Sequence, residues 1–200
     1  MPMCSMGWAK AVLLLCCLAM SEGLLYAHGG ARHAVTDNTA GSFEWSEARK
    51  LSWGDFTGTY KPDDGDRAAA GTCCSIGFNA HLTARGEVEV SIFNAFNPNG
   101  SWVIREQRNP RLLAHEQGHF DICELYTRKL RERVSKLIVT ASNFSTIYKK
   151  VYAELYEEYN AAQQRYEEET MHGLREDAQL AWEMNIANGL HVQEAYALSR

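Results

Sequence analysis

The stretch Asn109-Pro110-Arg111-Leu112-Leu113-Ala114-His115-Glu116-Gln117-Gly118-His119-Phe120-Asp121-Ile122-Cys123 decides how the rest of the chain is read. Asn109 suits a helix N-cap and Pro110 the first helical position, and neither Gly nor Pro occurs between Phe120 and Thr140. Leu112, Cys123, Tyr126, Leu130, Val134 and Leu137 recur at helical spacing, with Arg128, Lys129, Arg131, Glu132, Arg133 and Lys136 expected on a solvated face. The pattern predicts a helix from Asn109 to about Thr140, long enough to need a partner along its whole length.

Residues four apart on a helix lie roughly 40° apart around the axis and about one turn along it, so His115 and His119 can reach one metal ion. Glu116 projects beside that ion, about 100° round from His115. This is the H-E-x-x-H arrangement: two neutral imidazoles for Zn²⁺ and a carboxylate placed as general base for a water activated there.

A catalytic zinc needs a third protein ligand. Asp121 and Glu124 point well away from the histidine pair, and Leu125 stands where a third histidine of the longer H-E-x-x-H-x-x-G-x-x-H pattern would be. A second long helix is predicted from Phe144 to Thr170, with Tyr148, Val151, Tyr152, Leu155, Tyr159, Ala162 and Tyr166 as its apolar stripe and its glutamates on a solvated face. A short loop makes the two helices antiparallel. With that loop centred near Phe144, the arm back to Gln117 and the arm on to His172 are equal, at about 40 Å each. His172 is therefore the expected third ligand, with Glu169, one turn earlier, as the alternative. Tyr166 is a candidate catalytic hydrogen-bond donor to developing oxyanion charge. Gly173 is expected to cap the helix, and a shorter third helix to follow with Leu174, Ala178, Ala181, Trp182 and Ile186 on one side and a fraying tail beyond Gly189.

Ahead of the metal helix, Ile76, Phe78, Ala80 and Leu82, then Val88, Val90 and Ile92, alternate with polar residues around Ala84-Arg85-Gly86, predicting a hairpin with one buried face. An edge of that hairpin is suited to holding an extended peptide by strand addition. His81 falls on the opposite face and reads as a surface residue. A short strand is expected over Ser101 to Arg105 after the Asn97-Pro98-Asn99-Gly100 turn, and Trp45 and Trp53 read as apolar anchors. Pro62-Asp63-Asp64-Gly65-Asp66 lacks the order of a calcium loop and reads as a solvated acidic loop.

The chain has 200 residues, room for one domain of ordinary size. Lys10 followed by the apolar run Ala11 to Met20 is too short to cross a bilayer and fits a signal peptide, expected over residues 1–27. A flexible segment is expected over 28–41, the catalytic domain over 42–190 and a tail over 191–200. Losing Lys10 and Glu22 together leaves the net charge at −5, which argues against nucleic acid as a partner. No other stretch could span a membrane, so a secreted or periplasmic location is expected. Cys73, Cys74 and Cys123 remain, either with one disulfide between the adjacent pair and Cys123 or as three thiols.

The run Leu112-Leu113-Ala114-His115-Glu116-Gln117-Gly118-His119-Phe120-Asp121-Ile122, with Leu51-Ser52-Trp53-Gly54-Asp55-Phe56 before it and Tyr166, Thr170 and His172-Gly173 after it, resembles a bacterial family described as predicted secreted zinc-dependent proteases. The resemblance covers roughly Ser42 to Ile186 and implies an α+β, zincin-like fold: a small antiparallel or mixed sheet packed on the H-E-x-x-H helix and its antiparallel partner. It also implies a zinc metallopeptidase acting on peptide or protein substrates. The three cysteines are not part of that pattern. The alternatives are a non-catalytic module in which zinc staples the two helices, and a metal-dependent hydrolase of cell-wall amide bonds.

Overall fold

The computed structural model describes residues 41–60, 68–85 and 87–197. The expected leader and nearly all of the segment after it, the acidic loop from Pro62 to Asp66, and Gly86 of the hairpin turn lie outside the described residues.

The described chain is α+β, with four strands and three helices: β1 (Ala70–Gly71), β2 (Cys74–Leu82), β3 (Val88–Phe96), β4 (Trp102–Val103), α1 (Pro110–Ser135), α2 (Phe144–Thr170) and α3 (Glu176–Val192). The sheets are two antiparallel pairs, β2 with β3 and β1 with β4. The β2–β3 register sets Ile76 opposite Asn94 and Phe78 opposite Ile92. Only the base of this hairpin carries a buried face. Ile76 and Ile92 are buried, whereas Phe78 and Leu82 near the tip are 40% and 49% exposed. His81 is exposed and pairs across the strands with Glu89 at 2.8 Å.

Helix α1 starts as its sequence dictates. The Asn109 side chain accepts a hydrogen bond from Leu112 N at 2.9 Å, and Pro110 occupies the first turn, where it lacks no needed donor. The helix ends at Ser135, earlier than its apolar spacing predicts, and an eight-residue link, 136–143, leads to α2. The other three boundaries of the helical pair, Pro110, Phe144 and Thr170, fall where the sequence places them.

Helix α1 is the axis of the molecule. The hairpin covers one side through Ile76, Ile92 and Phe96 against Phe120, α2 covers a second through Leu155 and Tyr159, and α3 a third through Ile186. Each such side chain contributes about 1.5–3 kcal/mol of burial free energy. Arg128, expected in solvent, is buried. Its Nε donates to the buried Glu124 at 2.7 Å and its Nη1 to Leu190 O at 2.8 Å. Arg131 donates through Nε to Ile92 O and through Nη1 to Tyr196 O. These arginines hold down the segment after Gly189, which among the described residues does not fray: α3 continues to Val192 and a 3-10 turn follows over Glu194–Tyr196. Leu174, expected on the inner face of α3, precedes the helix and is 71% exposed.

No disulfide joins Cys73, Cys74 and Cys123. Cys74 Sγ lies 3.5 Å from the Tyr159 hydroxyl, and burial raises the pKa of the neighbouring Cys123 thiol. Among the described residues, no helix is long and apolar enough to cross a membrane.

Candidate metal centre

One helical turn sets His115 and His119 on the same face of α1, and their Nε2 atoms approach to 3.2 Å. Glu167 of α2 meets both. Its Oε1 is 3.0 Å from His119 Nε2 and its Oε2 is 3.4 Å from His115 Nε2. One ligand atom from each of the three residues lies within 4.8 Å of the others, a group able to hold a metal ion. His115 is 2% exposed, and the side chains of His119 and Glu167 are 13% and 26% exposed. The centre is therefore closed on the protein side and reachable through the Glu167 side.

The two expected third ligands are placed elsewhere. His172 is exposed and its Nδ1 contacts Glu167 Oε2 at 2.6 Å, one side chain removed from the histidine pair. Glu169 points to α3, where its Oε2 accepts from Trp182 Nε1 at 2.7 Å. The reason is geometric: the connection between α1 and α2 centres near residue 140, not at Phe144, so the returning helix brings residues 163–167 to the level of the histidines.

Tyr166 is also not where an oxyanion donor belongs. It is buried behind the pair, its ring stacked on His115 at 4.7 Å, and its hydroxyl donates to His115 O at 3.0 Å. This packing explains Gly118. A Cβ there would collide with the Tyr166 hydroxyl, so the glycine lets α1 and α2 approach at the level of the site. Gly118→Ala should lower the melting temperature and disorder the histidine pair, at a cost of about 1–3 kcal/mol for overpacking. An unchanged melt would contradict this contact.

The end of α2 is shaped around the same centre. Met171, His172 and Gly173 all have positive φ, at 51°, 57° and 75°. For the two non-glycine residues this costs on the order of 1–3 kcal/mol each. A Cβ on Gly173 would lie 2.9 Å from His115 Cβ, and Arg111 Nε donates to Gly173 O at 2.7 Å. The left-handed turn thus seals one side of His115 and swings His172 back onto Glu167.

Beside the cluster, Glu116 is 3% exposed and accepts from Thr72 Oγ1 at 2.7 Å. Burial raises its pKa, opposed in part by the charges of His119 and His115 and by the Thr72 hydrogen bond. Burial alone would lower the pKa of His119, but the hydrogen bond and charge of Glu167 outweigh it and raise the value to about 9. Burial would raise the pKa of Glu167, yet the hydrogen bonds from His115, His119 and His172 hold it well below the usual carboxylate range.

These shifts set a pH dependence for the metal-free protein. The raised His119 contributes stability that is complete below its ordinary value of 6.5 and is lost as pH rises through about 9. The depressed Glu167 contributes stability present above its ordinary value of 4.5 and lost on acidification. With a chelator present, the melting temperature should be higher at pH 6 than at pH 9.5, and equal values would contradict the ion pair.

Two glutamines complete the centre. Gln163 Oε1 lies 2.6 Å from His119 Nδ1 and its Nε2 donates to His119 O at 3.0 Å. Gln179 Oε1 lies 3.2 Å from His115 Nδ1 and its Nε2 donates to the Tyr166 hydroxyl and to Glu183. Sequence reasoning missed Gln163, Glu167, Gln179 and Thr72. Pairing α1 with α2 about a loop centre near residue 140 would have singled out Gln163 and Glu167; no local signal marks Thr72 or Gln179.

Residues 101–173 match the model of a family described as a bacterial protein of unknown function, DUF922. The matched stretch runs from β4 to Gly173, so it contains His115, Glu116, His119, Gln163 and Glu167, and it makes the chain similar there to an uncharacterised bacterial family. None of the proteins of curated function and none of the solved structures compared matches the chain.

Proposed function

We propose that the protein is an exported zinc-dependent metallopeptidase with a zincin-like fold. The observation that carries this reading is the meeting of His115, His119 and Glu167 within 4.8 Å, with the buried Glu116 carboxylate on the next residue of the same helix. Two imidazoles and a carboxylate suit zinc better than magnesium or calcium, which prefer oxygen donors. Three protein donors also match a catalytic zinc site, whereas a structural zinc takes four. Export rests on the apolar run after Lys10.

Zinc held by His115, His119 and Glu167 would supply Lewis-acid activation of a water molecule and of the substrate carbonyl. Glu116 takes the proton from the attacking water and returns it to the leaving amine. Its raised pKa brings the carboxylate closer to neutrality, which suits a group that must both accept and give up a proton. Thr72 holds Oε2 of that carboxylate, leaving Oε1 for the proton. Tyr166, tied to His115 O, keeps the ligand helix in place and takes no part in the proton transfer.

The test is hydrolysis by the purified protein of casein and, in parallel, of cell-wall muropeptides. Proteolysis that stops with 1,10-phenanthroline and returns with zinc is expected. Muropeptide release without proteolysis would favour a cell-wall amide hydrolase, and zinc binding with neither activity would favour a stapled, non-catalytic module.

A further inference from the structure

We infer that Gln163 and Gln179 are positioning residues that fix which ring nitrogen each histidine presents to the metal. The inference rests on the metal-centre reading above and adds to it the device that orients the ligands. A side-chain amide has one acceptor end and one donor end, so its orientation follows from what its nitrogen meets. Gln163 Nε2 lies 3.0 Å from the backbone carbonyl of His119, which can only accept. Gln163 Oε1 must then face His119 Nδ1, at 2.6 Å, and that ring nitrogen carries the hydrogen. In the neutral ring that binds a metal, the lone pair is then on Nε2, the atom that faces Glu167 and His115.

Gln179 repeats the arrangement from α3. Its nitrogen meets the Glu183 carboxylate, which accepts, at 2.9 Å and the Tyr166 hydroxyl at 2.8 Å, and that hydroxyl lies 3.0 Å from His115 O and 3.1 Å from Gln179 Oε1. Oε1 is thereby turned to His115 Nδ1, leaving Nε2 of that ring for the centre. Both glutamines are 5% exposed, so neither amide can be replaced at the imidazole by bulk water. Two helices other than α1 therefore determine the ligand tautomers. Because the partners are neutral amides, the imidazoles are oriented without the added basicity that a carboxylate partner would give.

The experiment compares the protein with Gln163→Met and Gln163→Glu, measuring zinc affinity by chelator competition, the absorption spectrum of the cobalt(II)-loaded form and the thermal melt. Gln163→Met keeps length and volume but loses the acceptor. It should weaken zinc binding by about 10–100-fold and shift the cobalt spectrum. Gln163→Glu restores an acceptor of greater basicity and should bind zinc at least as tightly as the unaltered protein. A part that only filled space would give the reverse order, since a buried carboxylate is a worse filler than methionine. Met binding as tightly as the unaltered protein, or Glu as weakly as Met, would overturn the assignment.

A reading that needs no variant is the nitrogen-15 correlation spectrum of the zinc-loaded protein, where both histidines should carry the hydrogen on Nδ1. Hydrogen on Nε2 of either ring would overturn the assignment even if every variant failed to fold. An unaltered protein that takes up no zinc removes the metal-centre reading itself, an outcome separate from the ranking of the variants.

Discussion

Glu116→Gln should take up zinc as the unaltered protein does and lose about 10²–10⁴-fold in kcat/KM, a barrier increase of roughly 3–5.5 kcal/mol. The substitution keeps the shape of the side chain and the acceptor for Thr72 Oγ1, which now bonds one carboxylate oxygen at 2.7 Å. It removes only the capacity to take a proton. Glu116 is not one of the three residues of the metal-capable cluster, so the donor set is untouched. Since burial already disfavours the charged form of Glu116, the amide should fold at least as stably. Peptide hydrolysis and zinc content measured on the same preparation separate the two effects. Undiminished turnover would remove Glu116 as the base, and loss of zinc would move it into the donor set.

Glu167→Ala and His172→Ala should part company. Glu167 touches both histidines, at 3.0 and 3.4 Å, whereas the His172 ring meets the Glu167 carboxylate at 2.6 Å. Loss of Glu167 should cost more zinc affinity than the roughly 10–100-fold typical of an outer partner, and activity should go with it. Loss of His172 removes one hydrogen bond that aims the Glu167 carboxylate and should fall within that range. The two also differ without metal. In Glu167→Ala, His119 loses the strongest of the influences that raise its pKa, ahead of Glu116 and Gln163, so the decline in stability between pH 6 and 9.5 should shrink. Equal zinc affinities for the two variants would mean that the ligand set has been drawn wrongly.

Much of this architecture is legible from local patterns. Asn109-Pro110 starts α1, the Tyr-rich stripe of α2 spans the residues it predicts, and alternation gives the β2–β3 hairpin. These features depend on a few neighbouring residues, which a sequence displays directly. The outer surface of α1 is not legible in the same way, because Arg128 and Arg131 look solvated until α3 and the C-terminal turn, far away in sequence, bring carbonyls to meet them. Glu167 is hidden in the same way among the six glutamates of α2 from Glu154 to Glu169, and its distinction comes only from helix register against α1. A link centred near residue 140 instead of Phe144 moves the partner level back by about eight residues, roughly two turns, from His172 to the stretch that holds Gln163 and Glu167. The glutamine amides were beyond reach for a related reason: nothing in residues 163 or 179 alone reveals which carbonyl or hydroxyl their nitrogens will meet.

The most direct measurement is a crystal structure of the zinc-loaded protein with the ion located by its anomalous scattering. The account predicts a single strong peak at about 2.0–2.2 Å from His115 Nε2, His119 Nε2 and a Glu167 oxygen, with the Glu116 carboxylate outside bonding distance of the ion. An ion bound by His172 or Glu169 in place of Glu167, or held through the Nδ1 atoms, would contradict it.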